Sequence, residues 1–447
     1  MRDERRSAYS HRPGEEAGGR LLNRARGAAV AAGLALLLAA CQGAPGSSGG
    51  ATKNLEVLSW WTSGSETAAL NVLFDDFRKT NPGINIVNAA VAGGGGSNAQ
   101  VVLATRLQDN NPPDVWQTHP GASIRQYIDD GLIADVSSAY EQDKLASVTP
   151  KEMLQAISKD GKEYGVSTGA HRINMLWFNK KLLAQAGVTV PASGYTVDAF
   201  LADLGTLKAA GVVPLCRGAK APFATAELFE NTLLSVIGVN GWKDLTADQL
   251  RWDGPQVRQA LSQFGKMLSY SDPQAGALSW DRATNKLATG GCAFESMNDS
   301  AYGELVKGGA TEGTDFGYVA YPGTDGVFLA VVDTFVVANN AKDPRNARAF
   351  LASIGTKTTQ LSFNKLKGSV PLRTDVDVSS LPAYQRSSAQ SFAHDHVLLS
   401  ISHGEAKSPQ FELGFYDAIA AFEQSKDVNA FNQALRDAVN EVQPPPH

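Results

Sequence analysis

The sequence predicts an α/β protein of two or more lobes, on three observations. A chain of 447 residues is longer than a single hydrophobic core organises well. Between Leu55 and Trp116 the pattern runs strand, helix, strand, helix, strand, the mark of a parallel sheet in an α/β layer. The same alternation then recurs toward the C-terminus, without a repeat at solenoid periods.

Taken in order, 55–59 (LEVLS) is a short apolar strand. In 66–80, Leu70, Leu73, Phe74 and Phe77 recur at helical spacing and build one apolar face. Ser63 with Glu66 three residues on is a capping-box start, and Asn81-Pro82-Gly83 is a stop. A strand over 84–91, the glycine run Gly93 to Gly96, a helix over 99–107 and a strand at 114–116 complete the unit. Further strands are expected at 164–166, 175–178, 214–217, 292–297, Phe316–Ala320 and Val327–Val337. Helices are expected at 197–210, 223–236, 257–270, Pro344–Ile354, 411–422 and Val428–Val442, before a loose Pro-Pro-Pro-His447 end.

The N-terminus is set aside from the fold. Residues 1–26 carry seven arginines and no lysine, and the apolar run 27–40, at 14 residues, is too short to span a bilayer comfortably. Its end, Leu38-Ala39-Ala40-Cys41, resembles a bacterial lipobox. Residues 1–40 therefore read as a lipoprotein signal peptide, Cys41 as the lipidated first residue of the mature chain, and 41–53 as a flexible tether. The product is expected to be exported and lipid-anchored, in a periplasm or on the outer face of the cytoplasmic membrane. A net charge of −5 lacks the basic footprint of a nucleic-acid binder. Outside the cytoplasm there is no ATP or NAD supply, so no cofactor is expected.

The glycine run lacks the Lys-Ser/Thr of a phosphate loop and reads as a mobile loop near a cleft. His394-x-His396 with Asp395 has no suitably spaced third ligand, so no metal is expected. No Gly-x-Ser-x-Gly elbow occurs. Three cysteines are too few for a disulfide scaffold; Cys216 and Cys292 read as buried strand thiols rather than a disulfide, though export permits either.

The strings Leu55-Glu56-Val57-Leu58-Ser59-Trp60-Trp61, Pro112-Pro113-Asp114-Val115-Trp116-Gln117, Tyr164-Gly165-Val166-Ser167 and Met175-Leu176-Trp177-Phe178-Asn179 form a distinctive set. With 290–298 (GGCAFESMN) and the Asp343-Pro344 helix start, they resemble the carbohydrate-type extracellular solute-binding lipoproteins of ABC importers. The likeness covers the whole mature chain. Trp60-Trp61, Gln117-x-His119, Leu366-Lys367-Gly368-Ser369 and His403-Gly404 are similar to the glucose/galactose-binding branch. The resemblance implies a two-lobed periplasmic-binding-protein fold of type II-like form, with a hinge, sugar in the cleft, and closure as the signal. It implies lobes of 54–166 with 321–366 and of 167–320 with 367–447, crossing near 164–167, 316–321 and 365–371. The partners implied are a monosaccharide (glucose, or galactose), the permease subunits, and the membrane through Cys41, with the receptor a monomer and not an enzyme.

Sugar recognition asks for aromatic rings against the pyranose face and polar groups around its hydroxyl rim. Trp60 and Trp61 follow a strand end, where open α/β sheets hold ligands, and adjacent side chains pointing oppositely are not both expected in the core. Trp280 is the family-matching ring from the other lobe. Glu66 serves equally as the capping acid and as a hydroxyl acceptor kept ionised at its helix N-terminus. Gln117 and His119, two apart, are expected to face one way and meet the rim. Asp333 is a charge inside the apolar run Val331-Val332-Asp333-Thr334-Phe335 and must be paired or at a site. Lys367 and His403 enter only through the branch resemblance, Lys367 as an ion-pair partner of Asp333 bridged by sugar. Ser300 stands where the family often has an aromatic, which predicts a wetter pocket there. The rival reading is an exported glycoside hydrolase using two of Glu66, Asp299 and Asp333.

Overall fold

The computed structural model describes residues 54–142 and 144–442; the expected signal peptide, Cys41, the tether and the Pro-Pro-Pro-His447 end lie outside them. The first three strands, β1 (Asn54–Leu58), β2 (Asn85–Asn88) and β3 (Val115–Thr118), are parallel, with β1 in the middle. Helix Gly64–Thr80 starts at the Ser63–Glu66 capping box and buries Leu70, Leu73, Phe74 and Phe77. Helix Ser97–Gln108 makes the second crossover. A hairpin of β4 (Ser158–Lys159) and β5 (Lys162–Glu163) turns at Asp160-Gly161, both with positive φ, before β6 (Val166–Arg172).

A second sheet follows. Strand β7 (Met175–Asn179) pairs antiparallel with β9 (Phe294–Ser296) and β10 (Phe316–Ala320), and β8 (Leu215–Cys216) lies parallel to β9. Strand β11 (Val327–Val337) returns to the first sheet, and β12 (His396–Leu399) joins it there, for the order β12-β11-β3-β1-β2 with β6 also on β11. Phe316–Ala320 belongs to the small sheet, and residues 321–326 lead from it to β11 in the first. Among the described residues no helix is long and apolar enough to cross a membrane.

Strand β11 is buried along all 11 residues, which is why it reads as an almost unbroken apolar run. Strand β6 follows one of its edges, while β12 (opposite 327–330) and β3 (opposite 334–337) share the other edge end to end. Residues 331–333 fall in the gap between those two. There Val332 N–H donates instead to Glu405 Oε1 at 2.6 Å, and Val332 O faces His119 Nδ1 at 3.0 Å, so side chains replace the missing ladder. The β6–β11 register shifts at a bulge between Asp333 and Thr334. On the far edge of β6, Ala170 bridges to Val370, just past helix Lys357–Lys367. Three segments, β11, β6 and the stretch at Val370, thus run side by side at this edge of the first sheet.

The apolar packing divides accordingly. One core joins β1, β3 and helix Gly64–Thr80 to Phe335, Phe350, Ile354 and Phe363; another surrounds the small sheet and gathers Phe229, Phe264, Phe415, Phe422 and Phe431. A third, small cluster of Ala170, Phe328, Ala330, Val332, Val370, Leu372 and Met153 lies on the three side-by-side segments. Cys216 and Cys292 form a disulfide, correcting the reading of free thiols. Strand β8 beside β9 brings their Cα atoms to 5.6 Å, inside the range a disulfide spans.

Candidate functional site

The ends of β1 and β3, the bulge of β11 and the N-termini of two helices converge on one small cavity of about 30 Å³. It is lined by Trp60, Trp61, Glu66, His119, Trp280, Asp333, Lys367 and His403, eight of the nine side chains expected from the sequence. Gly95, His171, Phe223, Met297, Asn298, Ser300 and Val331 complete it. An outer cleft of about 690 Å³ shares Trp60, Glu66 and Trp280 with it and continues along Gly93, Gly94, Asn98, Lys220 and Asp281. A Cβ on Gly94 would stand 2.4 Å from the Phe223 ring, and one on Gly96 2.9 Å from Trp60, so only glycine lets this loop lie against both rings.

The two tryptophans show how one position serves core and cavity together. Both are buried in the same core, against the expectation that one must leave it. Trp61 packs edge-on to Phe335 and tilted on Phe363, with Lys367 Nζ 5.5 Å from its ring centre. Trp60 faces the His119 ring at 5.1 Å. Trp280 opens helix Trp280–Ala288, its backbone against Gly218 and its ring edge against Gly94.

Asp333 is the electrostatic centre. Its Oδ1 accepts from Gln117 Nε2 at 2.7 Å, and its Oδ2 is 3.3 Å from His171 Nε2. Burial drives its pKa up, but His171, Lys367 and His119 outweigh that, and the carboxyl is held well below its ordinary range. Gln117 lies one layer behind the cavity: its amide is spent on Asp333 and on accepting Trp60 N–H at 3.3 Å. Lys367 donates to Ser300 Oγ at 2.8 Å and pairs with Glu66 Oε1 at 3.5 Å. Glu66 is thus its direct carboxylate partner, while Lys367 also acts on Asp333 through its charge. Glu66 keeps its capping role, with Ser63 N–H 3.4 Å from Oε2. Burial outweighs Lys367 and the Ser63 hydrogen bonds and raises its pKa.

Two of the three cavity histidines, His119 and His403, are shifted in opposite directions. Burial and the neighbouring His403 depress His119 to about 4, leaving it neutral. With Nδ1–H given to Val332 O, its Nε2 is a buried acceptor without a protein partner. His403 Nε2 donates to Glu227 Oε1 at 2.9 Å; burial lowers its pKa, but Glu227, Glu230 and Glu412 outweigh that and raise it. Its Nδ1 is buried and unpartnered as well.

Sequence reasoning missed His171, Asn298, Phe223 and Glu304. Glu304, on helix Ser300–Lys307, reaches the start of helix Gly64–Thr80, where Ser63 Oγ, Ser65 N–H and Ser65 Oγ all donate to its Oε1 at 2.6–2.9 Å. Asp299, offered for a hydrolytic pair, is fully buried and taken by His171, Arg172 N–H and Tyr384 OH. That leaves Glu66 and Asp333 as the carboxylates of that set on the cavity. Among the described residues no cluster of three His, Cys, Asp or Glu suits a metal ion, His394 and His396 included.

The family model described as "bacterial extracellular solute-binding protein" matches residues 61–360. An uncharacterized ABC transporter extracellular-binding protein of Pyrococcus horikoshii is 32% identical over 84% of this chain and 85% of its own. A probable sugar-binding periplasmic protein of Brucella melitensis is 31% identical over 82% of this chain and 87% of its own. Among solved structures, the bacterial solute receptor AcbH, titled for its preference for β-D-galactopyranose, aligns with a TM-score of 0.75. That alignment covers 87% of this chain and 98% of the other at 16% identity, a likeness of fold.

Proposed function

This chain belongs to the bacterial extracellular solute-binding protein family, and from that premise we propose that it is the sugar-capturing receptor of an ABC importer, its ligand a hexose, glucose before galactose. The observation that carries the reading is a cavity lined by buried side chains, where aromatic rings from both cores meet polar atoms without protein partners. Trp60 and Trp280 offer faces for pyranose C–H groups. His119 Nε2 would accept a hydroxyl proton, His403 Nδ1 would donate one, and Asp333 and Lys367 would grip the rim. Each buried hydroxyl left without a partner costs about 1–3 kcal/mol, which is the basis for separating epimers.

A cavity of about 30 Å³ is far smaller than a hexose, so in this proposal the halves part to admit one. We assign the lobes as 54–166 with 321–366 and 167–320 with 367–447, hinged on β6, β11 and the segment at Val370. Closure over the sugar would then be what the permease reads. In the same proposal Cys41 carries the lipid that holds a monomeric receptor at the membrane.

Titrating intrinsic tryptophan fluorescence with glucose, galactose, xylose, maltose and raffinose tests the reading. Saturable quenching by a hexose is expected; a flat response to every sugar overturns it. Incubation with aryl glycosides is expected to return them unchanged, and turnover would favour a hydrolase built on Glu66 and Asp333.

A further inference from the structure

His171 stands on β6, beside the bulge of β11, with 3% of its surface exposed. Its Nδ1 is in short contact with Asp299 Oδ1, and its Nε2 is 3.3 Å from Asp333 Oδ2, an ion-pair approach rather than an aligned hydrogen bond. The outer oxygens of these two carboxylates are also occupied. Asp299 Oδ2 accepts Arg172 N–H at 3.1 Å and Tyr384 OH at 3.0 Å. Asp333 Oδ1 accepts from Gln117, which in turn holds Trp60 N–H. A single buried line, Tyr384–Asp299–His171–Asp333–Gln117–Trp60, therefore runs from the small-sheet side through the crossing strands to a ring of the cavity.

Two carboxylates face one imidazole, and the tautomer arithmetic is decisive. A neutral ring has one N–H; serving Asp299 with it turns a lone pair toward Asp333, and serving Asp333 does the reverse. Only the imidazolium donates to both. The ionisable groups facing it are Asp299 before helix Ser300–Lys307, Asp333 on β11, and Lys367 at the end of helix Lys357–Lys367, with neutral His119 after β3. Tyr384 lies beyond Asp299, and the Arg172 guanidinium turns away to Val327 O at 2.8 Å.

We propose that His171 is a positioning residue of the sugar site: as the imidazolium it aims Asp333 into the cavity and ties it to Asp299. This rests on the sugar-receptor reading above. Burial and Lys367 lower the pKa of His171, but Asp299 and Asp333 prevail and it is raised. The sign is then fixed. Asp333 is fully held at pH below the His171 midpoint, and the hold is lost as pH rises through it, above the ordinary 6.5 or so. Sugar affinity follows the same course.

Two measurements on the full mature chain test it. In the first, without sugar, the imidazole nitrogens of ¹⁵N-histidine-labelled protein are titrated by NMR. The His171 midpoint is expected above 6.5, and Asp299→Asn, which touches no cavity surface, should lower it by about one unit or more while leaving His403 in place. A midpoint at or below 6.5, or one indifferent to Asp299→Asn, overturns the shared proton. In the second, D-glucose affinity is followed from pH 5.5 to 9. Wild type should weaken through the NMR midpoint, Asp299→Asn should weaken about tenfold at pH 7 with its profile moved to lower pH, and His171→Gln should give a flat, weak profile. A wild-type profile flat in pH, or unmoved by Asp299→Asn, overturns the positioning role. If D-glucose binds at no pH, the sugar reading and the effect on affinity fall together, and the NMR result alone judges the shared proton.

Discussion

Two cavities of this molecule differ in a way that volume alone would misjudge. The larger, about 720 Å³, lies against Met153, Leu372, Phe392 and Val397 on the outer side of the crossing strands, with Lys243, His394 and His396 at its rim. The inner cavity is about 30 Å³. Yet Glu152, Lys243, His394 and His396 of the large one are exposed, and its buried Arg373 is already bound to Asp375 and Gly355 O. The small one concentrates Glu66, His119, His171, Asp333, Lys367 and His403, all buried, with ring nitrogens unserved by protein. Desolvated polar groups held in fixed positions are costly to keep, and that cost marks a site where roominess does not.

The sharpest way to break this contrast is Asp333→Ala. It removes the charge on which Gln117 and His171 converge, and hexose affinity by isothermal titration should fall about a hundredfold or more, on the order of 3 kcal/mol. Trp280→Ala should cost up to the same order through lost ring contact and should also diminish tryptophan quenching. Removing the disulfide by Cys216→Ser with Cys292→Ser tests the scaffold instead. It should lower unfolding free energy by about 2–4 kcal/mol in denaturant melts while leaving affinity nearly unchanged.

Stability against pH sharpens the comparison further, because the polar cluster behind the inner cavity has its own titration. Burial raises Glu230 and Glu412 to about 7 from an unfolded value of 4.5. Each carboxyl thus binds its proton more tightly when folded, and its contribution is lost as pH rises through that window. His119, depressed to about 4 from 6.5, opposes this only below about 6.5. The Tm should therefore fall as pH rises from about 6.5 through about 7 and level off above it, and Glu230→Gln should flatten that decline. The smallest effect is reserved for the large cavity: His396→Ala should leave hexose affinity within about twofold.

How much of this was legible in the sequence follows from the range of each interaction. The capping box at Ser63–Glu66, the apolar face of the first helix and the bounds of β11 are local patterns, and they appear as read. Asp333 stood out because a charge in an apolar strand is costly wherever the strand goes. What escaped depends on pairing across the chain. His171 meets Asp299 over 128 residues, Ser63 meets Glu304 over 241, and the cysteines close a separation of 76. No periodicity encodes such partners. That Trp60 and Trp61 share one core escaped for the same reason: Phe335 and Phe363, distant in sequence, supply the wall against Trp61.

The claim on which the account turns is that the space between the two cores holds a hexose. A crystal structure grown with D-glucose measures it directly. The account predicts one pyranose between Trp60 and Trp280, with hydroxyls on Asp333, Lys367, His119 and His403. Density for the sugar anywhere else, or a clear map at that cavity with no sugar under saturating glucose, would contradict it.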